Sequence, residues 1–209
     1  MSGGWAGVAS ATSYPNRAMQ SKTLSTLGLP VGGSVAEDCL FLNLVTPSVK
    51  GKLRPVIVWF HGGGFVAGSA NEYDGSVLAR QGDVVVVTVN SRLGPFGFLD
   101  LSYFGSDYIG SASNGLRDQI LALRWIAENI EDYGGDPNNV TISGQSSGGS
   151  CVLSLLACPS ADSFYHKAIA CSPTAVYSAR TNRAEELTER LNCRPDECLD
   201  VLMDMTAHE

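Results

Sequence analysis

Two short segments of this chain are apolar at almost every position, so a strand formed from either segment would be buried on both faces. Residues 55–60 read Pro-Val-Ile-Val-Trp-Phe, and residues 84–90 read Val-Val-Val-Val-Thr-Val-Asn. Strands without a polar face are typical of parallel sheets that carry helices on both sides. The rest of the chain must therefore supply helices that cover such a sheet.

The remaining segments complete an alternating pattern of strands and helices. Residues 114–130 place apolar side chains three or four positions apart, which predicts an amphipathic helix that ends at the Gly-Gly-Asp-Pro of 134–137. Further predicted elements are strands at 39–45, 140–143 and 168–171 and helices at 150–157 and 184–191. This order predicts a three-layer α/β fold with a mainly parallel central sheet. No linker divides the chain, so we expect a single domain over residues 1–209, with an irregular polar segment in its first 38 residues.

Composition excludes several classes of function. A net charge of −7 without a basic run makes nucleic acid an unexpected partner. The longest apolar runs are far shorter than the roughly 20 residues of a membrane span, so no membrane association is expected. Nothing after Met1 resembles a secretory signal, which leaves the location open with the cytoplasm as the default. The six cysteines form no CxxC pair, and we expect neither a metal nor an organic cofactor.

Residues 144–148 read Gly-Gln-Ser-Ser-Gly, which fits the GxSxG pattern, and they stand between a predicted strand and a predicted helix. In this context the serine occupies a sharp, strained turn at the top of the sheet, where small flanking residues avoid collisions with neighbouring strands. The amides of the following helix then point at developing negative charge. Ser146 is therefore the candidate nucleophile. The alternative is a glycine-rich turn without a chemical role.

A second glycine-rich segment, His-Gly-Gly-Gly-Phe at residues 61–65, follows the buried strand 55–60. Consecutive glycines let backbone amides approach a ligand oxygen without hindrance, as the oxyanion hole of an acyl-transfer enzyme requires. The alternatives are a flexible hairpin and a phosphate-binding loop, of which the second is weak because no Gly-Lys-Ser/Thr follows. The presence of both motifs in this order favours the enzymatic interpretation.

Together with these motifs, much of the chain resembles the type-B carboxylesterases, an α/β-hydrolase family that includes the cholinesterases. The matching segments are 5–8, 11–12, 37–43, 61–65, 90–99, 114–119, 122–126, 133–137 and the turn at Ser146. The resemblance implies the N-terminal half of an α/β-hydrolase domain, incomplete at both ends. It also implies a carboxylic-ester hydrolase acting on small-molecule esters. Ser146 would form an acyl-enzyme, and the amides of Gly63, Gly64 and Ser147 would stabilise the oxyanion.

The chain departs from the family pattern at several positions. Gln145 stands where the family usually has glutamate, so a negative charge beside the nucleophile is absent. The family partner of Cys39 falls at Ala18, which leaves Cys39 as a predicted free thiol. Cys193 and Cys198 resemble a second family pair, and whether they form a disulfide is open. No tryptophan lies between residues 18 and 39, so choline esters are not the expected substrates.

The catalytic acid and the general base are the missing parts. In this fold they follow the nucleophile in the order acid, then histidine, and the family places both beyond residue 209. Downstream of Ser146 the chain has His166 and His208, which match no catalytic motif, so we expect a surface or packing role for His166 and a frayed position for His208. His61 is expected to shape the glycine loop. This chain alone should therefore show feeble turnover.

Two rival interpretations remain beside the esterase. One is a non-catalytic, cholinesterase-like binding or adhesion module, although such relatives commonly lose the nucleophile that is present here. The other is a non-functional product of a broken reading frame. A sheet without its later strands would also expose an apolar edge, which predicts self-association through that edge.

Overall fold

The computed structural model describes Gly7 and residues 10–20, 32–174, 183–194 and 196–206. These residues form five strands: β1 (Leu42–Val45), β2 (Arg54–Phe60), β3 (Val85–Val89), β4 (Gly135–Gln145) and β5 (Lys167–Cys171). They also form six α-helices: α1 (Ser76–Gly82), α2 (Gly94–Phe98), α3 (Asn114–Asn129), α4 (Ser147–Leu156), α5 (Arg183–Leu191) and α6 (Cys198–Asp204). Short 3₁₀ helices lie at Ala70–Glu72, Ser102–Phe104, Ser106–Tyr108, Ser111–Ser113 and Ile130–Tyr133.

The strands form one sheet in the order β1-β3-β2-β4-β5. β3, β2, β4 and β5 are parallel, and β1 alone pairs antiparallel, with β3. Val58 of β2 lies opposite Val87 of β3 and Ile142 of β4, and all three side chains are buried. The mainly parallel sheet that the apolar strands predict is confirmed.

Helices cover both faces of this sheet. α3 and α4 contribute Leu123, Ile126, Val152 and Leu155 to the main core, and each buried side chain of this kind stabilises the fold by roughly 1.5–3 kcal/mol. On the opposite face α1 packs against β3, where a side chain on Gly75 would collide with Val86. Because side chains alternate along a strand, Val86 points away from that main core. The fold therefore has the three layers that the sequence predicts.

Some element boundaries differ from the predicted ones. β1 begins at Leu42 rather than Cys39, because the Phe41 amide donates to the Cys39 carbonyl at 2.8 Å in a tight turn. β4 begins at Gly135, which pairs with Arg54 across a register shift. Helices α1, α2 and α6 were not predicted, since helices of five to seven residues are too short to show a helical period.

Arg92, in the segment that leads from β3 to α2, is bound to Asp118 of α3. Asp118 accepts from the Arg92 backbone amide at 3.0 Å, from Nε at 2.8 Å and from Nη2 at 2.7 Å. Only 4% of the Asp118 side chain is exposed, and its hydrogen bond raises the pKa of Arg92. This half-buried ion pair joins the segment before α2 to α3.

The cysteines are free thiols in this structure, as expected for Cys39. Cys39 is buried in a small cluster with Ala18 and Leu93, and its burial, together with the charge of Asp118, raises the pKa of its thiol to about 11. Cys193 and Cys198 are also unpaired thiols here.

None of the described helices has both the length and the apolar character that a membrane crossing needs.

Substitution of Asp118 by asparagine tests how much the ion pair contributes. We expect Asp118→Asn to lower the free energy of unfolding by about 3 kcal/mol, because the Arg92 charge then lacks its partner in a half-buried place. Urea denaturation measures this loss. Glu128→Gln, which removes the exposed Arg124–Glu128 pair from the same helix, is the control and should cost less than about 0.5 kcal/mol. Equal and small losses of unfolding free energy in both variants would show that the Arg92–Asp118 pair does not stabilise the fold.

Candidate active site

Ser146 occupies a strained backbone position between β4 and α4. Its φ of 56° and ψ of −123° lie in a region that non-glycine residues rarely adopt. Its amide donates to the Cys171 carbonyl at 2.9 Å, and its carbonyl accepts from the Ser150 amide at 2.9 Å. The turn is therefore held from β5 on one side and from α4 on the other, with the serine side chain half-buried.

Glycines around Ser146 are needed because other backbone segments approach them closely. A Cβ atom on Gly148 would collide with the Phe60 carbonyl oxygen and would lie 2.6 Å from the His61 carbonyl oxygen. One on Gly144 would lie 2.8 Å from the same Phe60 oxygen. Since Phe60 is the last residue of β2, the serine turn sits directly against the strand that delivers the glycine loop.

The glycine loop, residues 62–68, folds back on itself beside this turn. The amides of Val66 and Ala67 both donate to the Gly63 carbonyl at 3.1 Å. Gly63 has a φ of 114°, and a Cβ atom there would collide with the Ala67 carbonyl. A Cβ atom on Gly62 would lie 3.3 Å from the Cβ atom of Ser146. The glycine loop and the serine turn are therefore in direct contact, although Gly62 and Ser146 are 84 positions apart in the sequence.

Three backbone amides next to Ser146 are candidates for binding an oxyanion. Within the described ranges, the amides of Gly63 and Gly64 donate to no other group. Ser147 is the first residue of α4, where an amide has no intrahelical acceptor. Within the described residues these three amides are therefore available to donate to a bound oxygen.

One aromatic contact and one backbone hydrogen bond support the far side of the glycine loop. Phe65 packs edge-on against Phe98 of α2 with 5.1 Å between the ring centroids. The Gly94 amide, at the start of α2, donates to the Phe65 carbonyl at 2.7 Å. Sequence reasoning missed this support, and the available signal was Pro95 in the first turn, a position that proline favours.

His61 is buried beneath the loop, and its Nδ1 lies 2.7 Å from the Gly62 carbonyl oxygen. Burial lowers the pKa of its imidazole below the ordinary 6.5, so the ring is neutral at neutral pH and its Nδ1–H donates to that oxygen. His61 thus shapes the loop, as its place in the sequence predicts. The neighbouring Gln145 is exposed and uncharged.

His166 lies too far from Ser146 to act as its base. Its amide donates to the Val140 carbonyl at 2.8 Å, and its Nδ1 accepts from the Val140 amide at 3.2 Å. Val140 precedes Ser146 by six residues of an extended strand, which places His166 about 20 Å away. It has the packing role expected of it, and His208 lies outside the described residues. No histidine or carboxylate bonds to the Ser146 hydroxyl within the described part of the chain.

The cavity beside the site is too small for a substrate. Its volume is about 10 Å³, enough for roughly one water molecule, and it is lined by residues of β2, the glycine loop, α3 and α4. Gln119 and Cys151 lie in its wall, and the Gln119 amide donates to the Cys151 sulfur at 3.2 Å. No group of three metal-binding side chains occurs in the ranges that the structure covers.

Comparison with known proteins matches residues 2–209 to a family model described as the carboxylesterase family. The chain is 48% identical over 167 residues to para-nitrobenzyl esterase of Bacillus subtilis (strain 168), a match that covers 79% of this chain and 34% of that protein. It is 38% identical over 213 residues to neuroligin-2 of Mus musculus, with 85% and 25% covered. A solved structure of a thermophilic PNB esterase superposes with a TM-score of 0.85 at 40% identity, covering 93% of this chain and 41% of that one. The chain thus spans about a third of the curated esterase.

Substitution of Gly148 by alanine tests the close packing of the serine turn. The new methyl group would push against the Phe60 carbonyl, so Gly148→Ala should lower the free energy of unfolding by about 3 kcal/mol in urea denaturation. Gly82→Ala is the matched control, because its Cβ atom meets only ordinary contacts of 3.4 Å or more in α1. A Gly148→Ala protein as stable as the Gly82→Ala protein would show that the turn is not closely packed.

The buried His61 makes stability depend on pH. In the unfolded chain His61 binds a proton near pH 6.5, whereas burial lowers its pKa in the folded chain. The contribution of neutral His61 to the free energy of unfolding is therefore fully present above pH 6.5 and decreases as the pH falls below that value. We expect the Tm to drop between pH 7.5 and pH 5.0. His61→Asn keeps a donor near the Gly62 carbonyl and cannot titrate, so its Tm should drop less. Parallel curves of Tm against pH for the two proteins would refute the role of His61.

Proposed function

The chain belongs to the carboxylesterase family and has an α/β-hydrolase fold, and from this membership we propose that the protein hydrolyses carboxylic esters through Ser146. The observation that carries the proposal is the strained turn at Ser146 together with the amides of Gly63, Gly64 and Ser147, which have no acceptor among the described residues. We also propose that residues 1–209 form a single, partial domain of such an enzyme, acting on small-molecule esters without a metal or organic cofactor.

In the proposed reaction the Ser146 Oγ attacks the ester carbonyl carbon and loses its proton to a base. The carbonyl oxygen becomes an oxyanion, to which the amides of Gly63, Gly64 and Ser147 donate. Collapse of this intermediate breaks the bond to the alcohol, which leaves with a proton, and the acyl group stays on Ser146. Water then attacks the acyl-enzyme, releases the carboxylic acid and restores the hydroxyl.

The described residues supply the nucleophile and the amides but no base within reach of Ser146. Oxyanion stabilisation and binding alone retain roughly 10³–10⁴-fold catalysis over water in serine hydrolases. We therefore propose that residues 1–209 alone turn over esters feebly, and that the acid and the histidine come from outside them. Gln145 is uncharged and stands where the family usually has glutamate. No carboxylate at this position attracts cationic substrates, so neutral esters are the expected class.

A binding or adhesion module is the second candidate function. The similarity to neuroligin-2 of Mus musculus is the observation in its favour. Against it stands the presence of the Ser146 hydroxyl on the strained turn, because cholinesterase-like binding modules commonly lose the nucleophile. The esterase interpretation accounts for both motifs, so it is the one we adopt.

Self-association is proposed for the open side of the sheet. β5 is the last strand of the sheet in the described ranges, and 51% of Ile169 in this strand is exposed. Leu153 and Leu156 of the neighbouring α4 are exposed as well. An unpaired edge with apolar side chains favours pairing with a second copy of the chain.

Hydrolysis of p-nitrophenyl acetate tests the role of Ser146, because its leaving group departs without protonation. We expect the chain to accelerate hydrolysis by about 10⁴-fold over buffer, and Ser146→Ala to lower this acceleration about tenfold, to the part that oxyanion binding supplies without a nucleophile. Ser154→Ala is the matched control, since it removes an exposed hydroxyl of α4 that donates to the Ser150 carbonyl. If the Ser146→Ala protein hydrolysed the ester as fast as the unaltered chain, the proposed nucleophile would be wrong.

A further inference from the structure

We propose that Gln20 is a positioning residue for the glycine loop, because its side-chain amide binds both backbone groups of Gly68 and so fixes the place of Gly63 and Gly64. The inference rests on the proposed function, in which these two glycines supply amides to the oxyanion. Gln20 touches no reacting atom and acts through the loop alone.

The contact between Gln20 and Gly68 is a two-bond clamp across 48 positions of sequence. Gln20 Oε1 accepts from the Gly68 amide at 3.0 Å, and Gln20 Nε2 donates to the Gly68 carbonyl at 2.9 Å. The same Nε2 donates to the Ala18 carbonyl at 3.1 Å. Both hydrogens of the side-chain amide are thereby used, in a part-buried setting where water competes less for them.

Gly68 is the residue through which the clamp reaches the oxyanion amides. Its φ of +108° and its packing leave no room for a side chain, because a Cβ atom there would lie 2.5 Å from the Gly62 carbonyl oxygen and 2.5 Å from His61 Nδ1. The preceding residue, Ala67, donates its amide to the Gly63 carbonyl. A displacement of Gly68 would therefore move Gly62 and Gly63 directly.

A positioning residue must itself be fixed, and the segment that carries Gln20 is anchored in three ways. The Arg17 amide donates to the Ser34 carbonyl at 2.7 Å in a short parallel pairing. The Asn16 carbonyl accepts from the Asn90 side chain at 3.2 Å, which ties the segment to the end of β3. Ala18 is buried against Cys39 and Leu93. Gln20 thus joins the loop to a part of the chain that the sheet holds in place.

Amide hydrogen exchange on the 209-residue chain, followed by NMR, tests the proposal without requiring activity. Gln20→Met has a side chain of similar length that makes neither bond, and Gln20→Glu keeps an acceptor for the Gly68 amide while losing the donor. We expect exchange of the Val66 and Ala67 amides, which bind Gly63, to become about tenfold faster in Gln20→Met and less so in Gln20→Glu. Gln81→Met, on the exposed face of α1, is the control and should change neither amide.

Which amides exchange faster in Gln20→Met shows whether Gln20 positions the glycine loop or only stabilises the chain around Gly68. Faster exchange of Val66 and Ala67 with unchanged protection of β2 and β4 would support the proposal. Faster exchange of the Gly68 amide alone, or of the whole sheet equally, would overturn it. With p-nitrophenyl acetate, the proposal further predicts that Gln20→Met lowers kcat about tenfold and leaves KM unchanged. If the unaltered chain had no Ser146-dependent turnover, the proposed function would fail, and the exchange rates would still decide the role of Gln20.

Discussion

The close approach of the backbone at the end of β2 to the turn after β4 is the constraint on which the rest of the site depends. Gly148 lies so near the Phe60 carbonyl that no side chain fits between them, and a Cβ atom on Gly62 would make a tight contact of 3.3 Å with the Cβ atom of Ser146. These contacts arise because β2 and β4 are adjacent and parallel, so their carboxyl ends meet at one edge of the sheet. The order of the strands therefore brings two loops together that are distant in sequence.

The electrostatics of the site follow from the same packing. His61 is neutral because it is buried, Gln145 is uncharged, and no carboxylate bonds to the serine within the described residues. The local field around Ser146 is thus set by backbone amides and by the N-terminus of α4, which favour negative charge on a bound oxygen. Preorganised donors of this kind stabilise an oxyanion even when no base is present. Weak catalysis is therefore expected although the described residues supply no base.

Much of the fold was predictable from the sequence because its signals are local. Strands that are apolar on both faces, such as 84–90, and the Gly-Gln-Ser-Ser-Gly turn are recognisable over a few residues. The structure places the strands in one mainly parallel sheet and the turn at the end of β4. The supports of the glycine loop were not predictable. Gln20 binds Gly68 across 48 positions, and α2 is too short to show a period. Such long-range bonds depend on the assembled fold, and the extent of the substrate pocket depends on residues that no local pattern identifies.

A crystal structure of the unliganded 209-residue chain at atomic resolution tests the central claim, that backbone packing alone holds Ser146 in its strained conformation without a catalytic base. We expect a φ for Ser146 near +56°, with its amide bonded to the Cys171 carbonyl and the Gly63 and Gly64 amides unpaired by protein groups. A Ser146 relaxed to negative φ, with the turn pulled away from the Phe60 carbonyl, would show that the strain requires partners outside this chain.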